Sequence, residues 1–183
     1  MTTPNPPPLP LDDAGLLPDG AFPFPTRVEA YTVFAQQRDA RIDAAAWDRH
    51  ARQFFEAEVK LTRPKAYGPS APTTDGAHVV VTLRGREGGM RSVFLRPRTE
   101  ADLAFAEEAE RAAGGGGMSL LAKRCQTVAL VAVLAADDEV ALSLAAIVAS
   151  VVLGPILSPD RPEIFGIRTA RVKLTALARG IHA

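Results

Sequence analysis

Residues 126–154 read QTVALVAVLAADDEVALSLAAIVASVVLG, and the fold turns on how this stretch divides. Its first part, residues 126–136, is nearly continuous Val, Ala and Leu without polar alternation. A run that short, closed by Asp137, Asp138 and Glu139, predicts a strand covered on both faces. It is too short to span a bilayer as a helix. The second part, 139–153, predicts a helix: its acidic start suits the positive end of the helix dipole, and Gly154-Pro155 ends it.

On a helical wheel Glu139, Ser143, Ala146, Ser150 and Gly154 fall on one stripe, and the remaining circumference is almost wholly apolar. A helix lying on an ordinary sheet shows a broad charged outer face. This one lacks it, so something must cover it. Three covers are open: another layer of the same chain (the 44–58 helix described below), a second copy meeting at the small-residue stripe, or a membrane. Residues 140–157 are apolar over a length at the low end for a spanning helix, yet no Trp or Tyr flanks them.

Upstream, residues 77–84 and 90–96 are β-rich runs joined by Gly85-Arg86-Glu87-Gly88-Gly89, which predicts a hairpin with a five-residue link. Pro97 stops the second run. Thr99 with Asp102 three residues on forms a capping box for a helix reaching about residue 113. Gly114–Gly117 ends it, and a short helical piece follows at 118–124. Downstream, 155–162 is a Pro-rich loop, and 164–177 fits either a strand or a helix face. The alternation of Arg171-Val172-Lys173-Leu174-Thr175 favours a strand at 168–175.

The predicted fold is therefore α/β (or α+β), with a β-β-α-β-α-β core over residues 77–175. Two crossovers imply a mixed sheet whose last three strands run parallel, the first strand lying antiparallel beside the second. A helical segment precedes this core. Asp43 can cap a helix at 44–58, with Ile42 stapled onto Trp47 and an Asp48–Arg52 pair outside. Residues 28–35 fit a short strand or a helix start. The first 25 residues hold eight of the fifteen prolines. They read as a disordered leader, or as a docking tail for an aromatic groove. The organisation expected is that leader followed by one globular domain, 26–183, with the 44–58 helix packed on the core.

Composition narrows the function more than it defines it. Hydrophobic residues make up 47% and charged residues 23%, ordinary values for a globular chain. The 21 basic and 21 acidic residues cancel, so no nucleic-acid partner is expected. Five arginines (84, 86, 91, 96 and 98) on the hairpin read as an exposed strand face. Cys125 is the only cysteine, which excludes an intramolecular disulfide. No secretory signal is recognisable, and the cytoplasm is the expected location.

His50, His78 and His182 form no metal-binding pattern, and neither a metal nor a cofactor is expected. The glycine run lacks the Lys-Ser/Thr of a phosphate loop. Glu58-Val59-Lys60 matches a nuclease tripeptide but sits where a helix should end. If the sheet is parallel, its carboxyl edge gathers Arg96, Arg98 and Thr99 with Asp137, Asp138 and Glu139, and this is the candidate ligand site. The candidate interaction face is Ser143, Ala146, Ser150 and Gly154. The leading expectation is a non-catalytic adaptor acting through a protein partner or self-association. The alternatives are a small enzyme or anionic-ligand-binding protein using the carboxyl edge, and a peripheral membrane component.

Overall fold

The computed structural model describes residues 25–38, 40–62 and 76–180. The Pro-rich leader, most of the loop at 64–76 and His182 lie outside them. After a short 3-10 turn, Arg27–Glu29, the elements in chain order are β1 (Ala30–Ala35), α1 (Ala44–Phe54), β2 (Ala57–Thr62), β3 (Gly76–Leu83), β4 (Arg86–Pro97), α2 (Glu100–Ala112), α3 (Met118–Arg124), β5 (Thr127–Ala132), α4 (Glu139–Val152), β6 (Ile156–Leu157), β7 (Ile164–Phe165) and α5 (Ile167–Ala178). The seven strands form one sheet in the order β2-β3-β4-β5-β1-β6-β7. The fold is mixed α/β as expected, but every pairing is antiparallel, not the parallel core predicted.

Two features account for the difference. A single helix between two strands gives a parallel crossover, whereas α2 and α3 form a pair that carries the chain out and back. The pair begins and ends at the same edge: Arg98 N–H donates to Gln126 O at 2.8 Å. β5 therefore runs back along β4, with Pro97 opposite Thr127 and Val93 opposite Val131. The second feature is β1. It inserts between β5 and β6, pairing antiparallel with both, so the α4 crossover joins two like-directed strands that never touch.

β5 is covered on both faces, as its unbroken apolar run implied. Ala129 and Val131 join the core under α1, α4 and α5, while Val128 and Leu130 join the core under α2 and α3. α4 is the most deeply buried element, with residues 140–149 all buried. Its cover comes from the sheet on one side and from α1 and α5 on the others. The small-residue stripe is part of that packing. His50 Nδ1 of α1 lies 2.9 Å from Ser150 Oγ, and Ser143 and Ala146 are buried. Gly154 lies so close to β1 that a Cβ would sit 1.5 Å from Phe34 O. No helix among the described residues is long and apolar enough to cross a membrane.

Several local expectations shift. The 44–58 helix stops at Phe54, because Glu56 turns the chain with φ 50° into β2. Glu58-Val59-Lys60 thus lies on a strand rather than at a helix end. β2 is an edge strand, and Asp48 accepts the Val59 N–H at 2.9 Å, closing part of that edge to other strands. The β3–β4 link is a two-residue turn, Arg84-Gly85, both with positive φ as a twisted hairpin prefers. The remaining glycines sit in a bulge on β4. Residues 168–175 are helix, not strand. Ile167, Ala170, Leu174 and Leu177 form the face that packs inward, and the polar alternation between them is incidental. The caps at Asp43, Thr99 and Asp138 are all made.

Candidate functional site

The antiparallel sheet separates the residues that a parallel sheet would have gathered. Arg96 and Arg98 leave the end of β4, beside the start of β5, whereas Asp137, Asp138 and Glu139 follow the end of β5. At the first end Arg96 grips Asp102 with two hydrogen bonds, of 2.6 and 2.8 Å, and Thr99 caps α2. Arg98 donates to Cys125 O at 2.9 Å. Burial would raise the Asp102 carboxyl, but Arg96 and Thr99 outweigh it and hold the group below its ordinary value.

At the other end, the partner of Asp138 is Arg91, one of the five arginines expected on an exposed face. Its side chain is 2% exposed. Arg91 Nε and Nη2 reach the two Asp138 oxygens at 2.8 and 2.7 Å. The same carboxylate accepts Leu134 N–H and Ala141 N–H, both at 3.0 Å. Asp138 is thus fully engaged, capping α4 and holding the loop after β5. Glu139 pairs with Arg84.

That loop is one wall of a cavity of about 370 Å³, within the range of small-ligand sites. The lead-in to β1 forms a second wall, tied to the first by a 2.9 Å bond from Val133 N–H to Glu29 O. The β6–β7 connection forms the third, braced by Ser158 N–H to Glu163 O at 2.9 Å. The second half of α5 closes the fourth with Lys173, Ala176 and Leu177. Leu134, Leu142 and Phe165 supply apolar surface, and Tyr31 contributes its ring and hydroxyl.

The polar lining is acidic: Glu29, Asp137, Asp138, Asp160 and Glu163 against Arg161 and Lys173. Lys173 Nζ lies 2.9 Å from Glu163 Oε2, and Ser158 Oγ donates to Asp160 Oδ1 at 3.1 Å. Burial, and then the negative charges of Asp160, Asp138, Asp137 and Glu163, hold the Tyr31 phenol well above its ordinary value. It is a neutral hydroxyl at any physiological pH, able both to donate and to accept.

Asp137 and Asp138 are the two candidate ligand residues that line this cavity; Arg96, Arg98, Thr99 and Glu139 are not among its lining residues. Tyr31, Asp160, Glu163, Phe165 and Lys173 were not anticipated. The apolar–acidic mixture of residues 155–165 was visible, but nothing local placed it opposite β1. Among the described residues no group of three His, Cys, Asp or Glu side chains could hold a metal ion. His50 and His78 bond to Ser150 and Ser92, and burial lowers His78 below its usual value. No protein-family model matches the sequence, no curated protein matches it, and no solved structure matches the fold.

Proposed function

We propose that the protein is a non-catalytic binding module whose ligand site is the cavity between β1, the loop after β5, the β6–β7 connection and α5. The observation that carries this reading is the cavity itself. It combines apolar surface with a few convergent polar groups, the usual make-up of a small-ligand site. Its walls are fixed by main-chain bonds and by the buried Arg91–Asp138 pair, so the site is formed before any ligand arrives.

The adaptor reading started from an apolar helix in need of cover. The chain itself covers α4 and its Ser143–Gly154 stripe, which removes that motive for a partner or a second copy. The anionic-ligand reading relied on Arg96 and Arg98 facing the cleft, and the acidic lining disfavours an anion.

Filling the cavity tests the proposal. Ala176→Trp adds an indole at a half-buried lining position on α5. A ligand-observed NMR screen of a fragment library against both proteins should give hits with the wild type that vanish in the variant. Circular dichroism checks that α5 remains folded. Hits that survive the filled cavity would locate binding elsewhere and end the proposal.

A further inference from the structure

Every charged group around this cavity is already engaged. Asp138 is held by the buried Arg91 and by two main-chain N–H groups. Glu163 pairs with Lys173 at 2.9 Å, and the Lys173 ammonium also stands 5.4 Å from the centroid of the Phe165 ring. Asp160 accepts from the Ser158 hydroxyl and lies 3.9 Å from Arg161 Nε. Glu29 accepts the main-chain N–H and the hydroxyl of Thr26. Asp137 and Arg161 have interactions of their own. What the lining still offers a ligand is apolar surface: Leu134, Leu142, Phe165, Ala176 and Leu177, with the Tyr31 ring.

We infer that the ligand is an uncharged, largely apolar molecule that lies on Phe165, Leu134 and Leu142. This rests on the reading of the cavity as a ligand site. A charge carried inside sheds its water and needs a counter-charge in return. Here each counter-charge has to be taken from a contact that already uses it. Drawing Asp138 away from Arg91 strands a buried arginine. Drawing Glu163 away from Lys173 exchanges one ion pair for another and gains little. The Asp160 and Arg161 side chains are 56% and 50% exposed, so water screens what they could add. Burial is the largest of the causes that raise the Tyr31 phenol, and it penalises a ligand charge brought to the same depth. The carboxylates that also act on that phenol oppose an anion more strongly than a cation.

Three probes with a common ring separate these cases: tryptophol, tryptamine and indolepropionate, which are uncharged, cationic and anionic at neutral pH. Each is titrated into the full chain by NMR. Tryptophol should bind about tenfold more tightly than tryptamine, and indolepropionate should bind most weakly. Undoing the Lys173–Glu163 pair tests the reason for that order. Lys173→Met leaves the Glu163 carboxylate to a ligand cation and should bring tryptamine level with tryptophol or above it. Glu163→Gln leaves the Lys173 ammonium and should strengthen indolepropionate several-fold while weakening tryptamine. A wild-type chain that binds tryptamine or indolepropionate as tightly as tryptophol overturns the inference while the cavity stands as a ligand site. So does an order that neither variant changes, since the pairing would then not be what excludes charge. If no probe binds, or if Ala176→Trp binds tryptophol as well as the wild type does, the site reading fails and takes the inference with it.

Discussion

Leu153 ends α4 in the left-handed region, at φ 59° and ψ 39°. A side chain there brings Cβ against the following carbonyl, at a cost of about 1–2 kcal/mol, which is why glycine usually holds this position. The glycine in this sequence comes one residue later. It is needed there, because Gly154 passes against Phe34 where no Cβ fits. Leu153 is 58% exposed, so its side chain contributes little burial. Leu153→Gly should therefore raise stability by about 1 kcal/mol, read as a higher urea midpoint at unchanged slope. An unchanged or lower midpoint would mean that the leucine contacts outweigh the strain. Gly154 as a helix stop was legible in the sequence; its contact with β1 was not, because β1 had no assigned place. Arg91 was illegible for a different reason. On a strand, alternation assigns a face but not what covers that face, and one arginine in a set of five carries no mark of its buried partner.

At the scale of elements, signals confined to one segment were the readable ones. Thr99 and Asp102 form the capping box that opens α2, and Arg96 joins it from β4. Asp102 is held ionised more firmly in the folded chain than in the unfolded one. A carboxylate with a depressed folded value contributes stability that is fully present above its unfolded pKa of about 3.9. That contribution is lost as pH falls through this value toward the lower folded one. Asp102→Asn should thus cost about 2 kcal/mol at pH 7. The gap from wild type should narrow progressively as the pH is taken below about 3.9. Urea unfolding of both proteins at several pH values measures this, and a gap independent of pH would show that the charge on Asp102 plays no part. The elements misread were those whose pattern fits two structures. Residues 168–175 alternate like a strand yet place Ile167, Ala170, Leu174 and Leu177 on one helical face. The choice was made by the surface of α4 awaiting cover, which lies outside that window.

For the whole molecule, the reading of 126–154 as a doubly covered strand followed by a buried helix gave the centre of the fold, and strand order was the part it left out. Order depends on where the chain reverses, and here it reverses through the α2–α3 pair and again through the insertion of β1, neither of which alters a local pattern. The cavity shares this fate, since its four walls come from 28–31, 133–138, 158–163 and 173–177. What the centre does predict is how the molecule opens. α4 and β5 lie between layers, and freeing their amides requires the sheet to part from α1 and α5 together. α2 and α3 cover the other face through a smaller apolar cluster and are joined by four glycines, Gly114–Gly117, all exposed. That layer can detach while the larger core stays intact. Native-state hydrogen exchange should find the amides of residues 144–149 and 129–131 exchanging only by global unfolding, with a denaturant dependence equal to the full unfolding slope. Residues 106–122 should exchange earlier, through a smaller opening with a shallower dependence. If α2 and α3 exchange as slowly and as steeply as α4, the two faces of the sheet unfold as a single unit.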